Sequence, residues 1–500
     1  MLPKKLAEAL ANSGRGKDAA GYFLRAAEKA SGAEGLELTR RAAEQLLYSG
    51  HLKEGIEVVQ GVLAKMNVRA PTTALGVLVS LFLRRLWLRV RGLGFKKRSL
   101  DTVPRAELVR VDTYFSLSRG FGIMDPWRGM DFQTRYILAA LALGEPVRIA
   151  MGLALEAAYR ATEGKKAREA IDKLHAKARA LADETQNPHA RAMTTLMRGM
   201  SKALLGDFSE AAELCDLAAD ELRTRCSGVT WELDNAIIFG HYARHALGRI
   251  AEIRARVPGQ LDTFRSRGDL YGEVLLRVLV GWILRLADDD PEGARQELDE
   301  LDERLRPERL LIQHVWRAVN MTEVSLYEGK PKRAYDEIVE MVPKLEKAYL
   351  LRTESTRVRV LFARARATLA LACTESEGNR EGKLTEARTL VTRLEHEGFP
   401  LAKGYARIVA IGIDHAAGRT ESTVRAMESV EKVLLEHGAR LHALSVKVRR
   451  GQLTKGAEGE VLVSSALADL RAEGLMRPEA FVPVYAPGPY PKIESLFSSR

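Results

Sequence analysis

Turn residues recur along this chain at nearly constant spacing, and they constrain its fold more than any other feature. Gly164, Gly206, Gly248, Asp289 and Gly329 are separated by 42, 42, 41 and 40 residues. Each sits between two runs of apolar-periodic sequence. A residue able to take φ > 0 ends one helix and lets the next fold back on it. Repetition at this period specifies stacked helical hairpins, each burying its apolar face against its neighbours.

The positions after each turn agree. In GDFSEAAELCDLAADEL, Gly206 is followed at +5, +9 and +12 by Ala211, Cys215 and Ala218. Gly14 is followed by Ala19, Phe23 and Ala26, and Gly50 by Gly55, Val59 and Val62. Asp289 leads to Ala294, Leu298 and Leu301, and Gly329 to Ala334, Ile338 and Met341. Gly382 leads to Ala387, Val391 and Leu394. A small +5 residue lets the second helix approach the first, and +9 and +12 continue the same face. Gly248 and Gly418 keep the turn but have Ile253 and Thr423 at +5. The pattern resembles the tetratricopeptide family; RGMSKALLGDFSEAAELCDLAAD is the best copy, with Gly199 and Ala203 in its first helix. The expected fold is all-α, an α-solenoid of helical hairpins with a period of about 40–42 residues. Residues 1–100 are expected to form helical repeats ending in a basic amphipathic helix, 101–456 the central solenoid, and 457–500 a helix with a Pro-rich tail. The stretch PVYAPGPYP within that tail reads as extended chain.

Charge is unevenly placed. The net charge is +11, yet no Asp or Glu occurs between Glu57 and Asp101, where nine Lys or Arg do. A second acid-free window, His437 to Ala457, holds five more basic residues. The rest of the chain is slightly acidic. Within the first window, LFLRRLWLRVRGLGFKKRSL is apolar and basic at once. The apolar run Ala74–Leu83 is too short to span a bilayer, which needs about 20 residues. At about 100° per residue, Leu83, Leu86, Trp87 and Val90 share one face. The expectation is a helix over 74–91 that buries these four against neighbouring helices and exposes its Arg face. Arg84, Arg85, Arg89, Arg91, Lys96, Lys97 and Arg98 then form a candidate patch for a protein or peptide partner of acidic character. The alternatives are an anionic membrane surface and nucleic acid, with Trp87 and Phe95 for stacking. No nucleic-acid-binding signature accompanies the patch.

Three stretches carry a narrower resemblance: Arg40–Ala64, Leu83–Arg98 and FGIMDPWRGMDFQTRYILAALALGEPVRIAMGLALEAA. With the tail LRAEGLMRPEAFVPVYAPG, they resemble the C-terminal helical region of large bacterial serine/threonine protein kinases that also carry an AAA/STAND-type ATPase module. Asp125, Arg128, Gly129, Phe132, Gln133 and Arg135 fall on the family pattern, and the resemblance implies structural roles for them. The family's catalytic modules are not in this sequence. GRGKD at Gly14 has Asp18 where a phosphate loop needs Ser or Thr, and GNREGKL has Leu384 there. MDF at 130–132 continues to Gln133, and no kinase catalytic loop occurs.

His241 and His245 share a helical face as a metal pair would, without a third ligand nearby. The three cysteines form no paired motif, and residues 1–30 lack a signal-peptide core, so a reducing cytoplasm is the expected setting. The expected function is a non-catalytic scaffold, without cofactor, that binds a protein or peptide or relays a signal in kinase-type signalling. The alternative is the sensor fragment of a kinase–ATPase whose catalytic modules lie outside this chain.

Overall fold

The computed structural model describes residues 2–71, 73–122, 125–305 and 310–493. Among them every regular element is helical. Two hairpins open the chain: α1 (Leu2–Asn12) with α2 (Gly16–Glu28), and α3 (Gly32–Tyr48) with α4 (Leu52–Lys65). Then come α5 (Ala74–Arg91), α6 (Arg105–Gly122) and α7 (Pro126–Leu143). Hairpins resume with α8 (Pro146–Ala161) and α9 (Arg168–Thr185), α10 (Pro188–Leu205) and α11 (Phe208–Arg225), and α12 (Thr230–Leu247) and α13 (Ile250–Arg267). The next first arm is α14 (Leu270–Leu276) and α15 (Trp282–Ala287), joined through a π-helical turn, Arg277–Gly281, and paired with α16 (Pro291–Leu305). There follow α17 (Ile312–Tyr327) with α18 (Pro331–Lys347), α19 (Glu354–Ala372) with α20 (Glu377–Glu395), α21 (Ala402–Ala416) with α22 (Thr420–Glu436), and α23 (Arg440–Leu453) with α24 (Ala457–Ala472). The short α25 (Pro478–Tyr485) ends the series.

The turn residues act as the spacing requires. Gly206, Gly248, Gly329 and Gly418 have φ between 68° and 86°, and Asp289 has φ 57°. Ala211, Cys215 and Ala218 are fully buried, as are Ala294 and Leu298. A Cβ on Gly199 would lie 3.0 Å from Cys215 Sγ and 3.2 Å from Leu214 Cβ, so α10 and α11 touch where the small residue stands. Gly382 is an exception. It lies inside α20, which starts at Glu377 after a turn near Thr374–Ser376. The helix simply begins earlier, and Ala387, Val391 and Leu394 are buried as expected.

In each hairpin from α8 onward the first helix lies inside and the second outside. The inner layer then winds on itself. Turns separated by about 190 residues meet: Gly164 with Glu354, Gly206 with Phe399 and Pro400, Gly248 with Leu441, and Met476 N–H with the Ala287 carbonyl. The solenoid is thus a tight superhelix whose successive turns stack. One continuous apolar core runs from Ala43 to Ala486, and a smaller one joins α1, α2 and α3.

Two further expectations fail in the packing. The Pro-rich segment is not an extended tail. Val484, Tyr485 and Ala486 are buried, Arg366 donates to the Val484 carbonyl at 2.8 Å, and Arg449 donates to that of Ala486 at 2.8 Å. Tyr490 stacks on His415. Buried guanidiniums that need acceptors hold the chain here, and its apolar side chains fill the superhelix axis. The second failure is α5, which is turned the other way round. Leu83, Leu86, Trp87 and Val90 are exposed, while Val77, Leu81 and Leu88 are buried. Arg85 pairs with Glu156, and Ser80 Oγ donates to Asp131 at 2.7 Å. Both carboxylates are deeply buried on α7 and α8, and they bind the polar face of α5 inward.

Candidate functional site

Where the inner helices converge near the start of the superhelix they leave a cavity of about 360 Å³. Its walls come from residues far apart in sequence: Met130 on α7, Leu155 and Ala158 on α8, Met200 and Leu204 on α10, Ile238 and Phe239 on α12, Leu279 in the π-turn. Trp127, Trp231 and Trp316 face it from three different helices. Each sits on an inner or opening helix because the inward stripe of that helix points at the axis. The π-turn widens the helix at Leu279, as such bulges do at functional sites.

The rim is a short segment before α19. Tyr349 has φ 60°, and Arg352 lies 5.8 Å above the Trp127 ring. Glu354 pins this segment by accepting from Gly398 N–H at 2.9 Å and Lys165 N–H at 3.4 Å, which ties three turns together. One wall is polar. Arg119 is buried between the rings of Tyr48, Phe115 and Trp231, 4.0–5.1 Å from their centroids, and pairs with Glu232. Burial pushes the Glu232 carboxyl up, but Arg119 and a 2.9 Å bond with His189 overcome this and hold it at about 2. Arg119 Nε, by contrast, has no hydrogen-bond partner. Tyr159 donates to the Ser118 carbonyl at 2.6 Å, and burial pushes its phenol well up, so it stays neutral.

Among the described lining residues there is no Asp, His, Cys or Lys. The arrangement offers apolar contact, aromatic faces and two guanidiniums, Arg119 in the wall and Arg352 at the rim. It suits binding of an apolar or aromatic group, with Glu163 and the hydroxyls of Thr353, Ser355 and Thr356 among the polar groups of the lining.

The residues singled out in the sequence lie elsewhere or play supporting parts. Asp125 caps α7 and pairs with Arg128 at 3.3 Å. A Cβ on Gly129 would fall 2.4 Å from Tyr159 Oη and 2.9 Å from Gly122 Cα, so α6 and α7 cross there. Phe132 stacks on Phe121, Gln133 Nε2 donates to the Gly152 carbonyl at 2.9 Å, and Arg135 pairs with Asp131 at 2.8 Å. The basic residues do not form one patch. Arg84 lies 3.6 Å from Asp131, Arg85 is bound to Glu156, and Lys97 pairs with exposed Glu184 at 2.6 Å. Arg91 and Arg98 donate to nearby backbone carbonyls, leaving Arg89 and Lys96 exposed. His241 bonds Gln260 at 2.7 Å, and His245 packs edge-on against Trp282.

The cavity was missed because the repeat pattern describes the outer helices, whereas the inner ones line it. One signal was available: aromatics make up only 6% of the chain, yet four of its five Trp fall on helices that face the axis, and three of those line the cavity. No protein-family model matches the chain, and no curated protein matches it.

Proposed function

We propose that this chain is a non-catalytic recognition module that takes an apolar, aromatic-bearing ligand into the axial cavity. The observation that carries the reading is the cavity itself. It is enclosed by the inner helices of successive repeats, and its size falls within the range of about 300–1,000 Å³ usual for small-ligand sites. Aromatic rings supply area with little loss of side-chain freedom, and Arg119 supplies one fixed polar contact. Because the rim is pinned to turns of two other repeats, occupancy bears on the superhelix as a whole. That is the arrangement a relay requires.

The segment resembling kinase–ATPase helical regions, Phe121–Ala158, contributes Trp127, Met130, Leu155 and Ala158 to this wall. We therefore also propose that the recognition serves kinase-type signalling through a protein partner.

Titration with anilinonaphthalene sulfonate tests the reading. The fluorescence rise should saturate at one probe per chain and vanish in Ala158→Trp, which fills the cavity. Equal binding by the filled variant, or ATP hydrolysis by the purified chain, would overturn it.

A further inference from the structure

We propose that α5 is a membrane-surface anchor whose outward apolar face lies in the interfacial layer of a bilayer carrying anionic headgroups. The first support is the face itself. Leu75, Val79, Phe82, Leu86 and Val90, with Leu83 and Trp87 beside them, are each at least 49% exposed. Plotted at about 100° per residue they fill an arc of roughly 140° along about 27 Å of helix. Monomeric soluble chains rarely expose so continuous an apolar strip.

The second support is charge. No acidic residue lies between Glu57 and Asp101, and within that stretch Lys65, Arg69, Arg89 and Lys96 are exposed. On the helical projection Arg89 borders one side of the apolar arc and Arg91 the other. The occupant must be apolar in its middle and anionic at its margins. A second copy would bring the same acid-free segment with the same exposed Arg89 and Lys96, so the margins of the two strips would repel. A bilayer with anionic lipid satisfies both demands, and a convex ridge of Leu, Phe and Trp flanked by Arg and Lys is how an interfacial helix meets one.

The third support is rigidity. Val77, Leu81 and Leu88 are buried, and Ser80, Arg84 and Arg85 engage Asp131 and Glu156. The helix is therefore formed, with its apolar side outward, before any contact. Among the described residues no helix is long and apolar enough to cross a membrane, so α5 lies on the surface and does not span it.

Flotation of the full chain with phosphatidylcholine vesicles, with and without phosphatidylglycerol, tests this. The wild-type chain should float with the anionic vesicles, less so in added salt, with a blue shift of Trp87 emission. Phe82→Ser with Trp87→Ser should abolish flotation. Arg89→Glu with Lys96→Glu should weaken it by roughly tenfold or more. Both pairs are on the surface, and unchanged circular dichroism and probe binding would show that they fold. Three results would overturn the proposal: no flotation with anionic vesicles, flotation indifferent to both pairs, or self-association in light scattering that the apolar pair disperses. The last would assign the face to a second copy.

Discussion

Helices α5 and α10 have the same length, 18 residues, and each carries an apolar face, yet they bury opposite sides. In α10 the apolar side goes in: Met193, Leu196 and Met197 are fully buried, and Arg198 is outside, where it pairs with Glu210. In α5 the apolar side goes out. The difference lies in the neighbours. α10 meets apolar stripes on α8, α11 and α12. α5 meets α7 and α8 where buried Glu156 takes Arg85 as its cation and buried Asp131, paired with Arg135, still accepts from Ser80. A buried carboxylate left alone costs several kcal/mol, whereas an apolar side chain left in water only forgoes what burial would have contributed. A helix therefore orients by the strongest unmet demand around it, which its own periodicity does not record.

The comparison can be broken first at its cause. Asp131→Ala removes the partner of Arg135 and the acceptor of Ser80, leaving a buried guanidinium unpaired. It should cost about 3–5 kcal/mol in urea unfolding and free α5 to reorient. Loss of less than about 1 kcal/mol would mean that the carboxylate does not hold the helix.

Acid should act on the hairpins through their buried histidines. Burial, with Arg198 and Lys202 nearby, pushes His175 down to about 4. Burial also pushes His241 down to about 4 against the opposing bond from Gln260. The unfolded chain takes up these protons near pH 6.5 and the folded chain only near 4, so stability falls as pH drops through that window. Each histidine should contribute a loss of up to about 3 kcal/mol. Urea midpoints at about pH 7 and about pH 4.5 measure the loss; His175→Gln with His241→Gln should remove their share of it, while buried His245, also pushed down to about 4, and His442 keep the rest.

Glycine turns separate backbone strain from superhelix contact. Gly206 and Gly268 are both left-handed, with φ 86° and 65°. A Cβ on Gly206 meets Pro400 and Phe399 at 3.1–3.2 Å, while one on Gly268 meets nothing within 4 Å. Gly268→Ala should cost about 1 kcal/mol, and Gly206→Ala should cost more, by roughly 1–2 kcal/mol, because it also pushes successive superhelical turns apart. Equal losses would show that the turns do not bear on each other.

The smallest effect is expected on the outward face. Val79→Ser or Leu83→Ser should shift stability by no more than about 0.5 kcal/mol, whereas Leu196→Ser in α10 should cost several times that.

Much of the hairpin architecture was legible in the sequence, because a positive-φ turn with a small +5 residue is a local requirement. Gly206, Ala211 and Cys215 state it almost unaided. What depended on distant partners was not legible. The inversion of α5 turns on Asp131 and Glu156, and the burial of Tyr485 on Arg366. Gly382 misled because a glycine inside a helix looks the same in sequence as one that ends it. The cavity draws Trp127, Leu279 and Arg352 together through superhelical closure, and no short-range pattern encodes that closure.

Trp87 reports the outward orientation of α5 directly. With fluorotryptophan at all five Trp positions, the fluorine resonance lost in Trp87→Phe assigns its signal. Trp87 is 59% exposed and Trp282 is fully buried. A soluble gadolinium chelate should broaden the Trp87 resonance strongly and leave that of Trp282 sharp. A Trp87 resonance as protected as that of Trp282 would contradict the account.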